Sequence, residues 1–499
     1  MLRHSLITDA QRYIYDALDI VSGHRTQTYM LFLLALVSAL HHNIHAAPTP
    51  LAEASRKISI PFTSSDPTSN CACPNTRTIW NIIWTCLVTI VACSWVSVHP
   101  NIPAPGKKEW QVALMRLELM IWTIIAPEMM IFWAIRQWIG ARRLASLYDD
   151  KEHPWTKTHG YFIQMGGFVQ YYGSRRGGVL SPERMEELLR KRLIEFPSIT
   201  EEEIQDRSKG DALSKIIVLG QTSWFIAQCI TRRAQGLIMT ELELVTLAFA
   251  ALNSFMYFFW WNKPLDVRTR VPVYVHDAPI PEKESPIDEF SLHDSPVLRI
   301  TARQDKPAKS ARHYWDMVVG FIANILFRWP WQGIVLMFSR LGDMAEFAGR
   351  SNIIKEDQER VHPFYAMNTS DKESNRIIGA VSIIGIIFGG IHCAGWEFSF
   401  PTHAEAIIWQ VTSVIVTGVP IFMVISVLSQ SIYFQTETFC LERFFEDVKV
   451  VSTTIAIYFG LPIYIIARLV LLTEALIALR NLQPGALLEV QWTSFLPHV

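Results

Sequence analysis

Two histidines and two glutamates crowd residues 390–405, GIHCAGWEFSFPTHAE, between two strongly apolar runs. His392 and Trp396 stand four apart and so share a face if the first run is helical. Glu397 and His403 flank residues 398–401, and Glu405 falls in the first turn of a helix starting near Pro401 and Thr402. A catalytic zinc takes three protein ligands, such as two His and a carboxylate. His392, His403 and Glu405 supply that set only if the turn folds back, and the sequence has no HExxH motif. General acid–base work or substrate contact asks for less, one carboxylate or imidazole in an apolar place. A polar turn between two membrane helices asks for nothing more. The residue types leave all three readings open.

Two further sites carry carboxylates into apolar surroundings. In Ala126-Pro127-Glu128 the proline has no N–H, so the carbonyl of Thr123 loses its helical partner. Glu128 lies beside that defect with no basic residue three or four positions away, so its partner is expected on another helix. It reads as a proton-carrying or cation-binding group, or as half of a structural ion pair. In Thr240-Glu241-Leu242-Glu243 the helix dipole stabilises two carboxylates in a first turn. At the far end of the same run, Trp260-Trp261-Asn262-Lys263 reads as an interfacial belt with a snorkelling lysine. Glu128, Glu241, Glu243, His392, Trp396, Glu397, His403 and Glu405 are the candidate functional residues. Transport predicts that Glu128, Glu241 and His392 face one water-filled path. Arg468 and Glu474 read as packed or snorkelling charges.

A spanning helix takes about 20 mostly apolar residues. Residues 78–98, 237–261, 377–396, 406–429 and 451–473 meet that length, and 112–138, 213–230 and 317–339 meet it with charges or a proline inside. The expected fold class is all-α, a polytopic helical membrane protein of about seven to eight spans. Residues 1–47 form a signal peptide or signal anchor, with apolar residues 29–40 as its h-region. Residues 48–77 read as a flexible Ser/Thr/Pro-rich connector. A first bundle covers 78–261 with a long loop 139–212, a charged Pro-rich linker covers 262–316, and a second bundle covers 317–499. In the long loop, SPERMEELLRKRLIEFP carries a helix start at Ser181 and Pro182 and an apolar side, an amphipathic helix on the membrane surface or on the protein. Basic residues place loops 139–212 and 262–316 in the cytosol. The sequon Asn368-Thr369-Ser370 places its own loop in the lumen, glycosylated at Asn368.

Composition narrows the class. The chain has 499 residues, 50% of them hydrophobic and 18% charged, against about 25% charge in soluble domains. Forty-five Lys and Arg balance 46 Asp and Glu, which argues against a nucleic-acid partner. Cys86, Cys93, Cys229 and Cys393 lie in apolar runs and read as small hydrophobes. There is no P-loop, GxGxxG, GxSxG, kinase set or DDxxD run, so no cofactor or metal is expected.

CPNTRTIWNIIWTCLVTIVACSWVSVHPNIP, DRSKGDALSKIIVLGQTSWFIAQCITR, TELELVTLAFAALNSFMYFFWWNKPLDV and FGGIHCAGWEFSFPTHAEAIIWQ resemble a group of fungal polytopic membrane proteins without an established biochemical function. The resemblance runs from about residue 71 onward. It implies a fungal source and an integral membrane location, and it supplies no catalytic residues. Transport or permeation of a small molecule or ion is the leading expectation. The alternatives are an intramembrane enzyme with acid–base carboxylates acting on a lipid, isoprenoid or secondary metabolite, and a membrane scaffold or receptor-like protein. The bilayer is the expected partner, in the endomembrane system or plasma membrane.

Overall fold

The computed structural model describes residues 76–149, 154–208, 211–276, 358–433 and 459–491, with the single positions 339 and 455. The signal-like segment, the connector up to residue 75, most of the 262–316 linker and nearly all of the expected span at 317–339 lie outside the described residues. In chain order the long elements begin with α1 (Ile79–Ser97), α2 (Glu109–Ile125) and α3 (Pro127–Leu147). A small mixed region follows, with α4 (Lys157–Gln164), β1 (Phe168–Tyr172), β2 (Arg175–Val179), α5 (Pro182–Arg190) and α6 (Glu201–Asp206). Then come α7 (Asp211–Ala234), α8 (Glu241–Phe259), β3 (Val271–Tyr274), α9 (Asp371–Cys393), α10 (His403–Tyr433) and α11 (Leu461–Ala478).

Five helices are long and apolar enough to cross a membrane: α1, α8, α9, α10 over His403–Ser429, and α11 with the turn that follows it. They overlap the five strongest apolar runs, the fifth of which, expected at 451–473, is a helix at Leu461–Asn481, and are compatible with a multi-pass membrane protein. Their starts follow local chemistry. Thr240 and Ser370 each accept an N–H from a glutamate three residues on, whose side chain reaches back to the cap. α8 is the hub, with 89% of its most apolar window buried, whereas α1 and α10 keep two thirds of theirs open. Trp80, Trp84, Val411, Ile425 and Ile466 stand exposed on those outer faces and on α11. Apolar surface of that extent suits lipid and not water.

One core joins both halves. It draws on Ile82, Trp133, Phe249, Phe388, Trp409 and Leu471, so the expected first and second bundles are a single body among the described residues. The helices run between two faces. At one face Arg77 meets Leu487, and Arg232 of α7 meets Ile238, Ala486 and Leu488. At the other, Lys263 meets His99, Lys215 meets Trp261, and Arg143 meets Asn368 and Glu373. α7 traverses this thickness beside α1, although Lys215, Gln221, Arg232 and Arg233 keep it less apolar than the five.

The expected span 112–138 is two helices bent by 112° at Ala126-Pro127. Glu109 of α2 pairs with Arg268, and the far end of α3 holds Asn368, so both ends of this pair lie at the same face. The pair enters the bundle and returns. Pro127 is the physical reason, since the carbonyl of Thr123 has no N–H to accept.

The all-α expectation needs one correction. A three-stranded sheet ordered β2-β1-β3 sits at the Lys263 face, with β1–β2 antiparallel and β1–β3 parallel. Gly173 at φ +59° opens the two-residue β1–β2 turn, a position that suits glycine. The sequence hid these strands because none alternates: β1 is buried on nearly every residue, and β2 reads RRGGV. β3 also changes the linker, whose first residues are built into the sheet. α5 starts at Ser181 and Pro182 as its spacing predicts, and it turns Met185 and Leu188 into the core of this small domain. It lies on the protein.

Residues 358–370 strap this domain to the bundle. Trp133 Nε1 and Gln137 Nε2 both donate to the carbonyl of Tyr365, at 3.0 and 2.8 Å, and Asn101 Nδ2 donates to the carbonyl of His362 at 3.0 Å. The sequon therefore shares a face with loop 139–212, and the expectation that the two lie on opposite sides of a membrane fails on contact geometry.

Candidate functional site

At mid-depth, three helices converge on Glu128, the second residue of α3 after the break. Arg468 of α11 donates from one nitrogen to both carboxylate oxygens, at 2.8 and 2.9 Å, and the Tyr464 hydroxyl donates to Oε1 at 2.6 Å. The partner for Glu128 thus comes from another helix, as its isolation on α3 requires. Arg468 is 3% exposed, and its guanidinium carbon lies 3.9 Å from the ring centre of Phe388 and 4.9 Å from that of Phe249. Its Nε and second terminal nitrogen have no hydrogen-bond partner, so the two rings are what faces the remaining charge. Arg468 is packed in the core and does not snorkel.

His392 adjoins this centre without joining it. It is buried, its Nδ1 lies 2.9 Å from the carbonyl of Phe388, and its ring centre is 4.4 Å from the Phe388 ring. Trp409 Nε1 donates to the carbonyl of His392 at 3.2 Å and locks α9 against α10. Small residues allow that approach, since a Cβ on Gly389 would meet Thr417 backbone at 2.7 Å.

Toward the Arg77 face, above His392, lies a cavity of about 660 Å³. Glu241, Trp396, Glu397, Phe398, Leu237 and Arg233 are on its wall. Glu241 is 6% exposed, while Trp396 and Glu397 are open to the outside. Glu243, two residues from Glu241, is absorbed by structure: Arg77 grips it with two nitrogens, Thr240 donates its N–H at 2.9 Å, and Arg232 stands 3.9 Å away. Glu405 pairs with Arg480, and His403 is exposed. The zinc reading of the turn is not realised, because His392 points into the core while the other two face elsewhere. Among the described residues no group of three His, Cys, Asp or Glu could hold a metal. Nor do Glu128, Glu241 and His392 share one path: only Glu241 is on the cavity wall.

At the opposite face Lys263 departs furthest from expectation. It does not snorkel but is fully buried. Its Nζ donates to the carbonyl of His99, to Gln137 Oε1 at 2.8 Å and to Asn101 Oδ1 at 3.1 Å. The ring centres of Trp133 and Trp260 lie 4.6 and 5.0 Å from it. Burial pushes the lysine pKa well down, and three acceptors with two ring faces surround the amine where a carboxylate would otherwise be expected. No sequence spacing announces this cage, since its walls come from three separate segments.

A bundle with five helices of membrane-spanning length around a broken hairpin, with a charged centre at mid-depth and a cavity at one end, is compatible with a multi-pass membrane protein. The chain belongs to the family of unknown function DUF8562, whose match covers residues 57–279 and 364–499. No curated protein and no solved structure matches it.

Proposed function

We propose that the protein moves a small amphipathic molecule across a membrane, with the cavity as its entrance and the Glu128–Arg468 centre as the barrier beneath. The observation that carries this reading is the break at Ala126-Pro127, which sets an ion pair at mid-depth between two helix ends. Discontinuous helices at mid-membrane, buried in protein, are where transporters place ligand and coupling groups. Phe388 packs on His392 on one side and on Arg468 on the other, so these aromatic rings lie between the upper part of α9 and the ion pair. A fungal source and a place in the endomembrane system or plasma membrane accompany this reading, on the phrases that resemble fungal membrane proteins.

The one-ended position of the cavity favours a second reading, an intramembrane enzyme acting on a lipid or isoprenoid entering from one leaflet. Metabolite profiling separates the two in cells lacking the gene and complemented with wild type, Glu128→Gln or His392→Ala. A compound that changes sides of a membrane without changing identity supports transport. An unconverted precursor that accumulates in its own compartment overturns it in favour of the enzyme.

A further inference from the structure

The cavity holds a carboxylate without a counter-ion. Glu241 is buried, lies on the wall, and has no hydrogen-bonding or ion-pairing side chain among the described residues. Its neighbours are spoken for: Thr240 is engaged with Glu243, and Arg77 and Arg232 are turned toward Glu243. One turn deeper than the wall residue Ala478, Glu474 is buried too, with Oε1 lacking a hydrogen-bond partner. Glu397 adds a third carboxyl group at the open edge, and the half-buried Arg233 also lines the wall. The rest of the wall is apolar or aromatic: Leu237, Ile238, Met239, Ile391, Trp396 and Phe398. A buried carboxylate facing an empty volume is stabilised by a ligand that brings the opposite charge.

We infer that the cavity binds an amphiphile with an ammonium head, the head meeting Glu241 and the apolar body lying along Leu237, Ile391 and Phe398. This deepens the transport reading by naming the class of its cargo, and in that respect rests on it. At about 660 Å³ the volume is within the range of about 300–1,000 Å³ typical for small-molecule sites. Trp396 adds an aromatic side chain to the exposed part of the wall. Two sources share this chemistry, a free long-chain amine and the headgroup of an aminophospholipid.

The test uses the full-length protein in maltoside micelles with 11-(dansylamino)undecylamine, whose other end keeps a free ammonium, as the fluorescent probe and 11-(dansylamino)undecanol as its neutral twin. The amine is expected to bind saturably, and the alcohol about thirtyfold more weakly or worse. Glu241→Gln should weaken the amine by a similar factor while leaving the alcohol unchanged. Gly390→Phe provides a second variant, since a Cβ there meets nothing within 4 Å and the ring extends into the cavity. It should weaken both probes. Displacement by dodecylamine but not by short-chain phosphatidylethanolamine assigns the free amine, and displacement by the phospholipid assigns the headgroup. Equal binding of amine and alcohol, or Glu241→Gln binding the amine as tightly as wild type, overturns the inference. Glu241-dependent binding in a protein that moves nothing leaves it standing and removes transport. Movement of a neutral compound without amine binding does the reverse.

Discussion

Arg468 bonds Glu128 through one terminal nitrogen while its guanidinium carbon lies 3.9 Å from the ring centre of Phe388. The pair is therefore held from two sides, by a carboxylate on α3 and an aromatic ring on α9. Removing one partner leaves the other charge buried and unpaired, which costs about 3–5 kcal/mol. Arg468→Leu should destabilise the protein by that order, and Glu128→Gln with Arg468→Leu should recover most of the loss. Thermal unfolding in detergent measures both. A double variant no more stable than the single one would show that the pair is not coupled as its geometry requires.

The two glycines at the end of α9 should respond in opposite ways. Gly389→Ala drives a methyl into Thr417, whose backbone nitrogen lies 2.8 Å from the new carbon, so a loss of about 1–3 kcal/mol is expected. Gly390→Ala meets open space and removes backbone freedom from the unfolded chain, so it should be neutral or gain up to about 1 kcal/mol. The same unfolding assay ranks the two, and a reversed order refutes the close packing of α9 on α10.

Acid should loosen the small domain. Thr156 donates its N–H to His159 Nδ1 at 3.1 Å, and Nε2 lies 2.9 Å from the carbonyl of Ile199, so the neutral ring with the proton on Nε2 fits both. Burial pushes the His159 pKa below 6.5, and burial acts the same way on His99. An unfolded histidine titrates near 6.5. Below that pH the unfolded chain binds more protons than the folded one, so stability is full above about 6.5 and falls on acidification toward the folded pKa. Limited proteolysis between pH 7.5 and 5.5 should show the domain opening at the acid end. His159→Gln should flatten that profile, and an unchanged slope would remove His159 as its cause.

Lys263→Met should cost more than a surface lysine ever does. The carbonyl of His99 loses its donor, at about 1–3 kcal/mol for an unsatisfied buried acceptor. Gln137 and Asn101 keep one contact each, from Trp260 and from Gln137 itself. Lys263→Arg is not a rescue, because a planar guanidinium does not fit a cage built for three short donors. Unfolding of both variants against wild type decides it.

Single-cysteine labelling tests the two faces. Gly173→Cys and Asn368→Cys should react with a membrane-impermeant maleimide from the same side of sealed vesicles, and Glu397→Cys only from the other. Labelling of residues 173 and 368 from opposite sides would contradict the strap.

The elements most legible in the sequence were those that one segment specifies alone. Apolar length marked α1, α8 and α9, Pro127 marked the break, and Ser181-Pro182 marked the start of α5. What stayed hidden depends on segments far apart. β1 pairs in parallel with β3 about a hundred residues later, and its near-continuous burial looks like a fragment of buried helix. Lys263 looked like a snorkelling residue because Trp260-Trp261 is a good interfacial phrase, while its acceptors lie on residues 99, 101 and 137. Glu128 stands out by its isolation, and Arg468 and Glu474 by their charge, but nothing local joins Glu128 to Arg468, 340 residues away. Glu397, Trp396 and Glu241 do gather at one cavity, whereas Glu243, His403 and Glu405 serve caps, solvent and ion pairs.

The strap at residues 358–370 also fixes an order of events during synthesis. Trp133 Nε1 finds its acceptor on Tyr365, 232 residues further along the chain. At about 5–20 residues per second a ribosome needs some ten seconds or more to make that stretch. Until then Trp133 Nε1 waits for that acceptor while Gln137 can already reach Asn101, and the small domain lacks its fastening. A truncation after α8 is thus not half a protein but a nascent intermediate, and a chaperone or insertion factor that shields α3 would find its natural moment there.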